Sequence, residues 1–533
     1  MSVPEASGRT VELYDTTLRD GAQRADLSFT IEDRLRILHR LDAVGFPYVE
    51  GGWPGANPRD TEFFKLATKE TLAHAQLTAF GMTRKAGERA EDSPVLRELL
   101  DAGTGVICLV GKSWDLHVTE ALRTDLDEGV AMVRDSVAFL RSQGRRVFFD
   151  AEHFFDGYVA NPGFALAVIA AAEEAGAERL VLCDTNGGML PFDVARIVRE
   201  VGRQASAKLG IHVHNDAGCA VANSLIAVDA GVHQVQGTIN GYGERTGNAD
   251  LVPITADLVL KMGMTDALPE GAVGHLTELA HYVAEIANVT PDSHQPYAGR
   301  FAFTHKAGLH TSGVARLTEA YEHVPPETVG NHRGVVASDL GGAATLRMKA
   351  AEYGVELADA DVPRLLGDLK GLESKGYTFD VADASLELLM RKAHGWRQAF
   401  FEVESYKAHV EERRNEGALA EATVKVVAEG ERHIETAEGH GPVGALDNAL
   451  RKALTNAYPQ LDDMHLEDFR VRVLGEQGPS GTGSMVRVLI DTSNGEREWT
   501  TVGVSENILE ASWEALVEAY TFGLLHPRES RED

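Results

Sequence analysis

The first half of the chain repeats one alternation of apolar and polar positions. A short apolar run ends in polar residues, and a stretch with helical periodicity follows it. The runs predict strands at Val11–Asp15, Tyr48–Gly51, Gln76–Phe80, Gly105–Val110, Arg146–Asp150, Arg179–Asp184, Leu209–His214 and His233–Ile239. Between them the period changes, and helices are expected at Ile31–Val44, Val118–Leu140, Asn161–Ala175, Pro191–Gln204 and Ala217–Asp229. Strands alternating with helices make βαβ units and a parallel sheet. Eight units within about 250 residues fit a closed (β/α)8 TIM barrel better than an open, doubly wound sheet. The barrel is expected to occupy residues 1–265.

The polar ends of the runs support closure. They read Asp15-Thr-Thr-Leu-Arg19-Asp20, Glu50-Gly-Gly, Asp150-Ala-Glu152-His153, Asp184-Thr185-Asn186, His212-Val-His214-Asn215-Asp216 and Thr238-Ile-Asn240. A barrel brings all these ends to one mouth, where active sites of this fold sit.

Downstream the pattern changes twice. Residues 266–415 read as helical linker subdomains, with helical stretches at His275–Ala287, Asp361–Lys370 and Ala382–His394. From about Leu419 alternating runs appear at 422–428, 469–474 and 484–491, with helices at Gly444–Ala457 and Ser505–Leu524. Residues 416–533 are therefore expected to form a separate α+β domain.

Composition narrows the chemistry. The net charge of -30 opposes a general affinity for nucleic acid or an anionic membrane. An anionic substrate would need a locally positive site, which a metal ion supplies. The polar N-terminus lacks a signal-peptide pattern, and Cys108, Cys183 and Cys219 are too scattered for a disulfide framework, so a cytoplasmic protein is expected. Cys108 and Cys183 read as core residues, and Cys219 lies beside the His212–Asp216 segment.

His212 and His214 are the sharpest local signal. Residues i and i+2 of a strand face the same side, so both imidazoles can meet one ion at the mouth while Val213 turns to the helix layer. A packed or hydrogen-bonded histidine pair is the alternative reading of those two residues. Asp20, from the first strand end, would add a hard carboxylate ligand. The neighbouring guanidinium of Arg19 suits a substrate carboxylate or a developing oxyanion, or else an internal salt bridge to Asp20. Gly241-Tyr-Gly243-Glu-Arg-Thr-Gly247 places its third glycine one residue late for a dinucleotide loop. Glu244 and Arg245 are instead expected to order that loop.

Three motifs, DTTLRDG (15–21), HVHND (212–216) and GTINGYGERTGN (237–248), resemble the signatures of the DRE-TIM metallolyase superfamily. The branch resembled is the Claisen-condensing one, which contains the 2-isopropylmalate, homocitrate and citramalate synthases. The likeness runs along the whole chain. EGGWPGANPRD (50–60), DAEHFFDGY (150–158) and QGTINGYGERTGNADL (236–251) are most similar to the long bacterial citramalate-forming type. The resemblance implies a divalent ion (Mn, Mg, Zn or Co) on Asp20, His212 and His214, with Asn248 completing or supporting the set. It implies Arg19 as a substrate and enolate electrostatic residue, Thr185 as a substrate-carboxylate contact, and Glu152 as an acid/base or orienting group. His310, from the segment after the barrel, is implied as the catalytic base; His305 is the alternative, and Lys306 is a candidate for CoA phosphate. Where the family pattern carries an acid two positions after that histidine, this chain has Ser312. The implied substrates are pyruvate and acetyl-CoA, in the first step of a pyruvate route to isoleucine. The competing expectations are a larger 2-keto acid, or an aldolase or lyase on the same barrel. GHGPVGALDNAL (439–450) and WTTVGVSENILEAS (499–512) resemble a regulatory domain, implying isoleucine as allosteric inhibitor, with a dimerisation domain that binds no ligand as the alternative. The likeness of the linker subdomains to ones that close over a neighbouring subunit's barrel implies a homodimer.

Overall fold

A computed structural model describes residues 10–306, 310, 313–314, 316–335, 342–397, 399–413, 417–474 and 484–528. Ser312 lies outside the described residues. The chain divides into two compact units, drawn from Met1–Phe303 with His323–Arg333, and from Thr304–Glu322 with Gly334–Asp533.

In the first unit all eight apolar runs become strands: β1 (Glu12–Asp15), β2 (Tyr48–Gly52), β3 (Gln76–Met82), β4 (Val106–Lys112), β5 (Arg146–Glu152), β6 (Arg179–Asp184), β7 (Lys208–Val213) and β8 (Gln234–Gly237). Each pairs in parallel with the next, and β8 closes on β1 through Tyr14↔Gln236 and Asp15↔Gly237. The continuous burial of β2, β6 and the first four residues of β4 follows from having a helix layer outside and packed side chains inside. Tyr14, Tyr48, Phe80, Val106, Cys108 and Phe148 fill the lower interior, so the barrel is plugged beneath its mouth.

The helices follow local signals. Ile31–Val44 starts at a capping box, with Thr30 bonding the Asp33 backbone and Asp33 bonding back, and it stops at Gly45 in the left-handed region. Asn57 and Asn161 cap Pro58–Ala67 and Pro162–Glu174, each with proline in the first turn. The single helix expected over Val118–Leu140 is broken. A π-type turn, His117–Ala121, is followed by Arg123, whose φ is 56°, and a new helix, Leu126–Ser142, starts at the Asp125 cap. An aspartate that satisfies an orphan N–H favours a new start over continuation. The helix expected at His275–Ala287 forms as Leu276–Ile286.

The second unit contains the short parallel pair β9 (Thr304–His305) and β10 (Gly334–Val335), then helices Ala343–Glu352, Val362–Ser374 and Asp383–Ala393. Its α+β part opens earlier than the alternation from Leu419 suggested. β11 (Phe401–Arg413) already pairs with β12 (Gly417–Ala428), which pairs with β13 (Glu431–Gly439). Helix Pro442–Leu454 follows. The pattern then repeats with β14 (His465–Leu474), β15 (Met485–Ser493), β16 (Glu498–Ser505) and helix Ile508–Leu525. Among the described residues no helix is long and apolar enough to cross a membrane.

Candidate active site at the barrel mouth

Strand direction puts the C-terminal ends of β1 to β8 together around a cavity of about 340 Å³. Its walls include Arg19, Asp20, Glu152, Thr185, His212 and His214. The i, i+2 rule holds at β7: Val213 is buried in the core between the barrel and its helices, while His212 and His214 line the cavity. His214 sits one residue past the strand and forms an isolated bridge with Asn248. Bonds from Asn215 N to Gly247 O (2.9 Å) and from Ala249 N to Val213 O (3.0 Å) hold that loop in place.

Asp20, His212 and His214 are all buried, and their ligand atoms lie within 4.8 Å of one another. Asp20 Oδ2 is 3.4 Å from His212 Nε2 and 3.9 Å from His214 Nε2. Asn248 Nδ2 donates to Asp20 Oδ1 at 3.0 Å and to Tyr242 O at 3.1 Å, which leaves its buried Oδ1 without a hydrogen bond. A carboxylate, two imidazoles and an orphaned amide oxygen form a mixed N/O set that fits a divalent cation. The electrostatics agree. Burial opposes the Asp20 charge, yet Arg19, His212 and His214 hold the carboxylate well below its usual range. Burial and the neighbouring His212 push His214 down to about 4, so it stands neutral with a lone pair. Burial also pulls on His212, but the hydrogen bond and charge of Asp20 outweigh it and raise the imidazole.

Arg19 contacts Asp20, as the salt-bridge reading allowed, at 3.0 Å from Nη1, but its Nε donates to Glu50 Oε1 at 2.5 Å. Its guanidinium lies 3.8 Å over the Phe80 ring. Glu50 also accepts from Tyr14 OH (2.5 Å) and Thr16 Oγ1 (2.7 Å), and is fully buried. Sequence reasoning placed Glu50 at a strand end without giving it a role. The structure makes it the anchor of Arg19, and the only local signal was the acid at the end of an apolar strand.

Glu152 and Lys112 are register partners on β5 and β4 and form an ion pair. Thr185 Oγ1 accepts the His153 N–H at 2.9 Å, and His153 aims that N–H from a left-handed backbone with φ 56°. Arg245 does order the last loop: it bonds Asp216 through Nε (2.8 Å) and Thr185 O through Nη2 (2.7 Å). Cys108 and Cys183 are buried and Cys219 is partly exposed. Burial raises both buried thiols, which makes them poor nucleophiles.

Arg19, Asp20, Glu152, Thr185, His212, His214 and Asn248 thus gather at one mouth. His310 belongs to the second unit and is exposed. Its ring centroid lies 5.6 Å from that of Tyr321 and 6.3 Å from that of His305. His305 Nε2 is 3.6 Å from Glu322 Oε1, and Lys306 pairs with Asp380. A Cβ at Gly313 would collide with the Tyr321 ring, so the glycine makes room for the aromatic neighbour of His310. The sequence reading missed Tyr321 and Glu322, because the loop that carries them back has no periodic signature.

Comparison with known proteins gives the family. Residues 10–283 match the HMGL-like family model, 298–376 the homocitrate synthase post-HMGL domain-like model, and 380–524 the LeuA allosteric (dimerisation) domain. The curated (R)-citramalate synthase of Streptomyces coelicolor is 53% identical over 517 residues, covering 96% of each chain. That of Synechocystis sp. is 50% identical over 529 residues, again 96% of each. That of Geobacter sulfurreducens is 48% identical over 518 residues, 96% of this chain and 97% of its own. The chain belongs to the HMGL-like family, among the (R)-citramalate synthases. The resemblance read from the three motifs is borne out.

Proposed function

We infer that this chain is a citramalate synthase, an acyltransferase that condenses acetyl-CoA with pyruvate and releases CoA. The observation that carries the reading is the near-full-length likeness to curated (R)-citramalate synthases at 45–53% identity. Asp20, His212 and His214, with Asn248 beside them, would hold a divalent ion such as Mn, Mg, Zn or Co. When bound there it supplies Lewis-acid polarisation of the keto acid.

The other roles belong to the chain's own groups. Arg19 has five N–H donors; Glu50 and Asp20 fix two of them, and with Arg19 lining the cavity the others would serve charge developing on the keto oxygen. The Thr185 hydroxyl accepts from His153 and so turns its own proton outward, ready to donate to a substrate carboxylate. Lys112 orients the Glu152 carboxylate, which serves as acid/base or positioning group. His310 is the proposed acceptor of the acetyl methyl proton, histidine being the commonest general base, and His305 is its alternate. Hydrolysis of the product thioester then drives the reaction forward. The domain matched over 380–524 would bind isoleucine as inhibitor and join two chains.

The test is release of free CoA thiol by purified protein with Mn(II), acetyl-CoA and a panel of keto acids. Pyruvate should be preferred over 2-oxoisovalerate and 2-oxoglutarate. A preference for either larger acid would overturn the substrate, and no thiol release with any acid would overturn the reaction.

A further inference from the structure

A hydrogen-bonded chain runs from the proposed metal site into the barrel. His212 Nδ1 lies 2.9 Å from Gln236 Oε1, and Gln236 Nε2 lies 3.1 Å from Asp150 Oδ1. All three residues are buried: Gln236 is 0% and Asp150 3% exposed. Gln236 belongs to β8 and is the register partner of both His212 on β7 and Tyr14 on β1. Asp150 belongs to β5, so the amide spans the barrel interior to reach it.

The direction of this chain is fixed by what each end can do. Burial pushes the Asp150 carboxyl up to about 6, so near neutral pH it is mainly ionised and accepts, and Gln236 must then turn its NH2 toward it. Its carbonyl oxygen must then face His212. A carbonyl oxygen only accepts, so His212 must place its proton on Nδ1. Nε2, the atom that faces Asp20 and can share a proton with that carboxylate, is then the nitrogen a cation takes over by displacing the proton. Each step forces the next, from a carboxylate on one side of the barrel to a ligand atom on the other.

We propose that Gln236 and Asp150 are positioning residues that set the tautomer and orientation of His212, so that its Nε2 is ready for a divalent cation. This rests on the metal reading of Asp20, His212 and His214. Partners of this kind behind a metal-bound imidazole raise affinity about 10–100-fold. The glutamine adds a reversible element. If Asp150 is replaced by a group that donates, the amide can turn over, presenting NH2 to His212 Nδ1 and driving the imidazole proton to Nε2, where it blocks the cation.

The experiment is calorimetric titration of the full-length protein with Mn(II), with thermal melts as the control for folding. Asp150→Asn keeps size and supplies a donor, and it should weaken Mn(II) binding about 10–100-fold. Gln236→Met keeps length without the acceptor and should weaken it similarly. Gln236→Glu, which can share a proton with Asp150 and still accept from His212, should bind within about threefold of wild type on the same reasoning. Co(II) absorption spectra give a second readout, and Asp150→Asn should alter the band pattern. If wild type binds Mn(II) and folded Asp150→Asn binds equally well, the relay is wrong while the metal site stands. If wild type binds no divalent ion, the metal reading falls and the relay with it. Should Gln236→Met fail to fold, the Asp150→Asn and Gln236→Glu comparison decides alone, and equal loss in both would overturn the proposal.

Discussion

Glu50 takes three hydrogen bonds from residues of one short segment, Tyr14, Thr16 and Arg19, and none of its surface reaches solvent. Its charge is therefore devoted to Arg19, whose guanidinium stays protonated because Glu50 and Asp20 outweigh the cost of burial. A charge-assisted hydrogen bond of this kind contributes about 1.5–3 kcal/mol. Glu50→Gln should lower kcat/KM for pyruvate roughly 10–150-fold and also lower the melting temperature, since it leaves the buried Arg19 charge with one partner fewer. A steady-state assay giving wild-type efficiency would show that Arg19 needs no anchor. Asp15, nearby on β1, has a different consequence. Burial pushes its carboxyl up from 3.8 to about 7, against the hydrogen bonds from Thr17 and with help from Glu50. Between those two values the folded chain holds a proton that the unfolded chain has lost, so this group's stabilisation is complete below 3.8 and disappears as pH rises through 7. Asp15→Asn removes the titration. Its melting temperature relative to wild type should rise from about pH 5 to about pH 8, and a constant difference across that range would refute the account.

At the scale of elements, the β8 loop shows how backbone shape holds a side chain. Gly243 has a φ of 155°, and a Cβ there would meet Asn248 Nδ2. Gly243→Ala should push the amide away from Asp20 and Tyr242 and weaken Mn(II) binding about tenfold or more, comparable to other losses of a supporting partner. Calorimetry would check it, and full affinity in the folded variant would remove Asn248 from the site. The same scale explains what could be read in advance. The eight strands and the His212–His214 pair were legible because burial pattern and side-chain alternation are local. Ile31–Val44 was legible to the residue because Thr30, Asp33 and Gly45 mark its ends. The break after Ala121 was not, because it depends on one aspartate cap inside an otherwise helical pattern. Glu50 and Gln236 were missed as organisers since their partners lie 24 to 86 residues away, on other strands or just beyond their ends. Only closure of the barrel brings these groups together. The early start of β11 was hidden for a similar reason: its pairing with β12 defines it as a sheet strand more clearly than its own alternation does.

Among the described residues, part of the second unit's apolar sheet surface is exposed. Helix Ile508–Leu525 packs on β15 and β16, and helix Pro442–Leu454 mainly on β12 and β13. On the edge strand β14, Val471 and Val473 are the register partners of Val488 and Val486 on β15, yet they are 41% and 60% exposed, while Val488 is fully buried. Val410 on the other edge strand, β11, is paired with buried Ala420 and is 53% exposed. Side chains on the core side of a sheet, left open at its edges, call for cover, and the match to a LeuA allosteric (dimerisation) domain over 380–524 makes a second copy the fitting occupant. Each chain carries a net charge of -30, so association must overcome mutual repulsion. Salt screens that repulsion over about 8–10 Å at 0.1–0.15 M, while apolar burial is not weakened by it. Sedimentation should therefore give twice the chain mass of 57.6 kDa at moderate salt, with the dimer loosening as ionic strength falls. Val473→Asp adds a charge to the uncovered face and should shift the equilibrium to monomer at all salt concentrations. A dimer indifferent to Val473→Asp would place the interface elsewhere, and a wild-type monomer throughout would leave the exposed edge faces to a different partner.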